Sequence, residues 1–472
     1  METLLPNSAR KNGLMPIIPE HFDYFGTDLQ FSNERLPTLY CEEVGFVTEM
    51  MSTLRLTRRF STSRSLQVTA QEVFDREAKY GCHNYKPLPV ALAKGEGVFV
   101  WDVAGKRYYD CLAGYSAVNQ GHCHPRIVAA AVKQMQLLSL TSRAFYNNVL
   151  GEYEEFLVKK FKYDKALPMN TGVEAAESAV KLARRWAYDV KKVPTNKAKM
   201  IFAEDNFWGR SIAAVSASSD PESYGGFGPF VPLFERVPYN NLPALEKAIS
   251  DPNTAAFMVE PIQGEAGVVV PDKGYLKGVQ DLCKKHNVLF ITDEIQSGLG
   301  RTGEWLAHYH DGVRPDIVVL GKALSGGVYP ASAVLCDDHI MLNIKPGQHG
   351  STYGGNPVAC RAAIEALKVI EDEGLVENSA KMGELLQSKL RTLPKEIVSV
   401  VRGRGLFIAV VINKKFDAWT VCNRLLANGV LCKNTHGDII RFTPPLCINK
   451  AQIEEVFDII SKTILQMASE QK

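Results

Sequence analysis

Between residues 199 and 322 one pattern recurs four times: a short apolar run with a polar residue at or just beyond its end, then a change of pattern before the next run. The runs are 199–204 (KMIFAE), 255–260 (AAFMVE), 288–293 (VLFITD) and 317–321 (IVVLG). Apolar runs this short, without polar alternation, are strands buried on both faces. Strands separated by helices run mostly parallel, because each helix carries the chain back to start the next strand in the same sense. The expected fold is therefore α/β, a mostly parallel central sheet covered by helices. One covering helix is expected from near Glu174, where Ala175, Ala179, Val180, Ala183 and Trp186 form an apolar stripe with no interior Gly or Pro.

Open parallel sheets bind ligands beyond the carboxyl ends of their strands. Phe207, Trp208 and Arg210 follow the first run, and Gln263 and Glu265 the second. Asp293 closes the third, with Gln296 just beyond it. Lys322 follows the fourth, ahead of the loop Ser325-Gly326-Gly327. A lysine in a pocket of low polarity has a lowered pKa and becomes a nucleophilic amine able to form a Schiff base. A buried aspartate can hold a proton on a ring nitrogen. The Thr171-Gly172-Val173 turn enters a helix, whose N-terminus can hold a phosphate. These are the parts that pyridoxal 5'-phosphate requires.

Each part alone has a plainer reading: a strand-end lysine is usually solvated, and Asp293 could simply cap a helix. Together they outline a site. Residues 298–303 (GLGRTG) look like a dinucleotide loop but do not open a helix after a strand. Residues 121–125 (GHCHP) and 308–310 (HYH) lack the further ligands and spacing of a zinc site, so no metal is expected.

A chain of 472 residues implies two or three domains. Residues 1–67 form an N-terminal extension. Its first fifty residues carry eight acids and three bases without periodicity, whereas 51–66 holds Arg55, Arg58, Arg59 and Arg64, many Ser and Thr, and no acid. That is the composition of a mitochondrial presequence. It implies a matrix enzyme, or a cytoplasmic one if the segment is not used. Met50 and Met51 stand where a start would make sense, so residues 1–50 are expected to be missing from the mature protein.

Residues 68–120 form an N-terminal segment, with a strand, a turn at Ala104-Gly105 and a second strand within 96–114. A large cofactor-binding domain over 121–373 and a smaller α+β domain over 374–472 follow. In the latter, 401–412 (VRGRGLFIAVVI) reads as one strand, and Ile453, Val456, Phe457, Ile460, Ile464 and Met467 as a core-packing helical stripe. A net charge of +2 makes no case for nucleic acid, and no apolar run is long enough to cross a bilayer. The ten cysteines are scattered, which suits reduced thiols.

The stretches 290–307 (FITDEIQSGLGRTGEWLA), 317–335 (IVVLGKALSGGVYPASAVL) and 349–363 (HGSTYGGNPVACRAA) resemble, in order and spacing, the motifs of the class-III pyridoxal-phosphate aminotransferases. Residues 83–92 (HNYKPLPVAL), 114–127 (GYSAVNQGHCHPRI), 206–218 (NFWGRSIAAVSAS) and 435–446 (THGDIIRFTPPL) are similar to the branch acting on ornithine. The resemblance runs from near Val68 to the C-terminus and implies a fold-type I transferase. It makes Lys322 the Schiff-base lysine and Asp293 the partner of the pyridine nitrogen. Gln296 falls where the family contacts the ring hydroxyl, Phe207 where it stacks on the ring, and Gly172 and Val173 where backbone amides bind phosphate. Thr352 resembles the hydroxyl that reaches the neighbouring subunit's phosphate, implying a homodimer with shared active sites and leaving a higher oligomer open.

Tyr85 and Arg210 resemble contacts to the substrate carboxylate and amino group. Tyr115 resembles the residue favouring ornithine over shorter ω-amino acids, and Glu265 with Arg441 a switchable ion pair. None of these positions departs from the family pattern. The implied reaction moves the δ-amino group of L-ornithine to 2-oxoglutarate. Three rivals are weighed against it. A sister enzyme acting on acetylornithine, 4-aminobutyrate or lysine would share the cofactor residues and differ at Tyr85, Tyr115 and the Glu265–Arg441 pair. An aminomutase would need no second substrate. An inactive scaffold is opposed by intact Lys322 and Asp293.

Overall fold

A computed structural model describes residues 68–470, so the presequence-like segment and the proposed upstream start lie outside the described residues. The chain opens with β1 (Leu92–Glu96), β2 (Phe99–Asp102) and β3 (Arg107–Asp110). The middle carries β4 (Lys165–Met169), β5 (Lys199–Ala203), β6 (Phe234–Val237), β7 (Thr254–Val259), β8 (Leu289–Asp293), β9 (Ile317–Leu320) and β10 (Ser332–Cys336). The last part holds β11 (Val398–Arg404), β12 (Phe407–Ile412), β13 (Val430–Leu431), β14 (Lys433–Thr435) and β15 (Ile439–Phe442).

Strands β4 to β10 form the central sheet, in the order β4-β10-β9-β8-β7-β5-β6. The pairs from β6 through β9 are parallel, and β10 runs against both of its neighbours. The four apolar runs are β5, β7, β8 and β9, side by side at the centre of an α/β fold. Their side chains alternate between two buried layers. Ala256, Met258, Leu289 and Ile291 pack toward the helix Gly172–Asp189, while Phe257, Val259 and Phe290 pack toward the helices Leu242–Ile249 and Tyr275–Lys285. Burial on both sides is why these strands lack polar alternation.

The helix Gly172–Asp189 starts two residues before Glu174 because Thr171 caps it. Thr171 Oγ1 accepts from the Glu174 N–H, and Glu174 Oε2 accepts from the Thr171 N–H at 2.7 Å. This reciprocal box satisfies the cap and leaves the first helical N–H groups free. The buried small residues Ala175, Ala176, Ala179 and Ala183 let the helix lie close to the sheet.

The single strand expected over 401–412 is instead the hairpin of β11 and β12. The chain reverses at Gly405, whose φ of +53° lies in the left-handed region that glycine adopts without strain. A glycine-punctuated apolar run reads alike whether straight or folded back. The second sheet, β11-β12-β15-β14, is antiparallel and packs with the helices Leu375–Leu390, Ala418–Ala427 and Lys450–Glu470. In the last helix Ile453, Val456, Ile460, Ile464 and Met467 are buried, while Phe457 is only partly so. β13 pairs in parallel with β3, joining the first part of the chain to the last. Among the described residues no helix is long and apolar enough to cross a membrane.

Candidate active site

The carboxyl edge of the central sheet bounds a cavity of about 270 Å³, lined among others by Gly172, Val173, Phe207, Glu260, Asp293, Gln296 and Lys322. Asp293 ends β8 and is 4% exposed. Its Oδ1 accepts from the Ile295 N–H at 2.9 Å, so part of the group does cap a turn. Its Oδ2 has no partner among the described residues. A buried unpaired carboxylate oxygen is costly, and this one sits at the cavity wall. Burial raises the Asp293 carboxyl to about 6.

Lys322 follows β9 with φ +45°, a left-handed conformation that costs a non-glycine residue about 1–3 kcal/mol. Its side chain opens onto the cavity. Burial lowers its ammonium pKa, and the nearby Asp293, Glu260 and Glu265 oppose that shift without cancelling it. Desolvation at the strand end thus frees the Lys322 amine for chemistry.

Gly172 and Val173 present the N–H groups left over by the Thr171 cap. A Cβ at Gly172 would come within 2.9 Å of Ile295 Cδ1, so any larger residue there must push that side chain aside. Gln296 donates to the Tyr115 carbonyl at 3.3 Å. The donor set fits pyridoxal phosphate: an amine, an unpaired carboxylate oxygen, an aromatic side chain and a helix N-terminus around one cavity.

A second, wider cavity of about 640 Å³ is bounded by Phe207, Arg210, Asp220, Ser223, Glu265 and Thr435, among others. Arg441 of β15 is 2% exposed, and its Nη1 lies 2.9 Å from Glu265 Oε2. Its guanidinium also stands 5.1 Å from the Tyr115 ring centre, and Tyr115 itself has φ +59°. Arg210 is exposed, donates to Ser223 Oγ at 2.8 Å and lies 5.3 Å from the Phe207 ring centre. Tyr85 is 75% exposed. Thr352 is also exposed, in the loop before the helix Pro357–Asp372, and lines neither cavity.

Two residues at the site went unassigned in the sequence. Glu260 was visible only as the end of an apolar run. Thr435 donates to the Glu265 carbonyl at 3.0 Å, and nothing in the pattern marked it. Gln263, expected among the site residues, instead donates to the Glu204 carbonyl at 2.6 Å and serves the frame. The motifs set aside are structural as well. Arg301 donates to the Leu406 and Pro444 carbonyls, and His308 Nδ1 lies 2.8 Å from Glu294 Oε1. Among the described residues no three His, Cys, Asp or Glu side chains cluster as a metal site.

Residues 80–464 match the family Aminotransferase class-III. A protein of Caenorhabditis elegans named probable ornithine aminotransferase, mitochondrial, is 71% identical over 89% of this chain and 100% of its own length. The Rattus norvegicus protein named ornithine aminotransferase, mitochondrial, is 64% identical over 84% of this chain and 92% of its own. A solved structure of the ornithine aminotransferase from Toxoplasma gondii, described with partial occupancy of PLP at its active site, superposes with a TM-score of 0.84. It is 48% identical and covers 86% of this chain and 96% of that one.

Proposed function

This chain belongs to the class-III aminotransferases, and from that premise we propose that it moves the δ-amino group of L-ornithine to 2-oxoglutarate. The products are glutamate 5-semialdehyde, which closes to pyrroline-5-carboxylate, and L-glutamate. The observation that carries the reading is the junction of two cavities: a lysine and an unpaired aspartate oxygen in one, a masked buried arginine beside the other.

Pyridoxal phosphate, when bound, supplies an electrophilic carbonyl and a ring that takes up the electron pair released at the substrate carbon. With that group bound, Asp293 would hold a proton at the ring nitrogen, Gln296 would meet the ring hydroxyl, Phe207 would stand against the ring, and the Gly172 and Val173 N–H groups would take the phosphate. Lys322, its amine kept unprotonated by burial, would take the proton from the substrate's δ-carbon. Arg210 and Tyr85 hold the α-carboxylate and α-amino group at ornithine's far end, with Tyr115 setting the length accepted. Glu265 masks Arg441 while ornithine is bound and releases it for the α-carboxylate of glutamate.

Thr352 completes the phosphate site of a neighbouring subunit in a homodimer. Exposed Leu137, Phe145, Tyr146 and Tyr353 offer apolar surface for that contact. The enzyme works in the mitochondrial matrix, with residues 51–66 as the import signal, and N-terminal sequencing of organelle-derived protein checks this.

The deciding experiment supplies the purified enzyme with ornithine, acetylornithine, 4-aminobutyrate or lysine, with and without 2-oxoglutarate. Pyrroline-5-carboxylate should form from ornithine and require the oxo acid. Faster turnover of another amine would make it a sister enzyme, and isomerisation without the oxo acid an aminomutase.

A further inference from the structure

Glu260 lines the cavity beside Lys322 and Asp293 yet has no part in the reaction as described. It is the first residue beyond β7. Val259 pairs with Thr292, so one further step of that register sets Glu260 beside Asp293 at the sheet edge. Neighbouring strands lie about 4.8 Å apart, and matched positions point to the same face, so two carboxyl groups share one dry pocket. Glu260 is 8% exposed. Two such groups do not ionise together readily. Burial and the neighbouring Asp293 push Glu260 up to about 8, above Asp293, so Asp293 loses its proton first. The titratable groups facing Glu260 are Asp293 at the end of β8, Lys322 after β9 and Tyr239 after β6.

Both carboxyl oxygens of Glu260 are in use. Oε1 accepts from the Phe207 N–H at 3.1 Å, and Oε2 from the Gly264 N–H at 3.0 Å. Phe207 forms the aromatic wall of the cofactor cavity. Gly264 precedes Glu265, its carbonyl faces Arg441 Nη1 at 3.4 Å, and a Cβ on it would collide with the Gln296 amide. One side chain thus ties the wall of one cavity to the base of the ion pair at the other.

We infer that Glu260 is a positioning residue, holding Phe207 in place for the cofactor ring and Gly264, hence Glu265, in place for Arg441. Cofactor seating and choice of substrate are thereby coupled through one carboxyl group. The two N–H bonds favour the carboxylate form, and burial and Asp293 oppose it. The inference rests on the roles proposed above for Phe207, Glu265 and Arg441.

Glu260→Gln tests it. The amide keeps the volume but sets an NH₂ where one acceptor oxygen stood, so one of the two ties breaks. Ornithine turnover by the unsubstituted enzyme is measured first, since its absence refutes the functional reading and not this one. The variant is then compared by melting temperature, by the dissociation constant for pyridoxal phosphate added to the cofactor-free form, and by single-turnover rates with ornithine and glutamate separately.

The expected result is cofactor affinity about tenfold weaker and a ratio of the two half-reaction rates shifted by about fivefold or more, with melting changed little. The pH midpoint of the bound cofactor's absorbance should also move. A variant with altered melting but unchanged affinity and unchanged rate ratio overturns the inference and leaves Glu260 a frame residue. If Glu260→Gln does not fold, Glu260→Asp, an acid too short to span both donors, decides by the same two readouts. A shift in both supports the coupling, and no shift overturns it.

Discussion

Removing Glu265 should change which end of a substrate the site accepts. Arg441 Nη1 and Glu265 Oε2 are 2.9 Å apart, with the arginine 2% and the glutamate 35% exposed. Two unit charges with centres about 4 Å apart attract by about 4 kcal/mol at an effective dielectric of about 20. Screening at the exposed glutamate and desolvation of the buried arginine cancel much of this, leaving about 1–2 kcal/mol for a glutamate substrate to overcome. Glu265→Ala should therefore raise the specificity constant of the glutamate half-reaction by about 5- to 30-fold. The ornithine half-reaction should fall, because an open Arg441 attracts the α-carboxylate and turns the α-amino group toward the cofactor. Glu265→Gln, which keeps a neutral acceptor for the guanidinium, should give a smaller shift in the same direction and guards against misfolding. Stopped-flow absorbance with each substrate alone is the assay. Equal losses in both half-reactions would refute the masking argument and reduce the pair to a structural contact.

Lys322→Ala should bind pyridoxal phosphate without the covalent link that borohydride makes permanent, and peptide mass spectrometry finding cofactor fixed to a different lysine would reassign the anchor. Burial raises the Asp293 carboxyl from 3.8 to about 6, so the folded, cofactor-free chain binds that proton more tightly than the unfolded chain. Its stabilising contribution is present below the unfolded value and lost as pH rises through about 6; cofactor-free wild type should lose stability relative to Asp293→Asn between pH 5 and 7, and parallel melting curves would contradict this. With cofactor present the dependence reverses, and affinity should fall as pH drops through about 6, where Asp293 ceases to be an anion. Mixing Lys322→Ala subunits with Thr352→Ala subunits should restore activity above either alone, because one site of a mixed dimer receives both wild-type residues. No recovery after verified subunit exchange would return Thr352 to its own subunit's chemistry.

The α/β class, the position of β5, β7, β8 and β9, and the placement of Asp293 and Lys322 at strand ends were legible along the chain. Those signals are local: an unbroken apolar run and the residue that closes it lie within ten positions. The helix Gly172–Asp189 was legible for the same reason, although Thr171 capping moved its start. The residues proposed for the site far from the strand ends, Tyr85, Thr352 and Arg441, were reached only through family motifs, since no spacing marks them. What the tertiary structure alone decided was which residues meet. Glu260 and Asp293 share a pocket because β7 and β8 pair in one register, and Glu265 meets Arg441 only because β15 of the second sheet is brought against the loop after β7. The hairpin at Gly405 and the pairing of β13 with β3 are likewise contacts between distant segments. The shifts that make Lys322 an amine and raise the Glu260 carboxyl arise from water excluded by that packing, so they do not exist until the chain has folded.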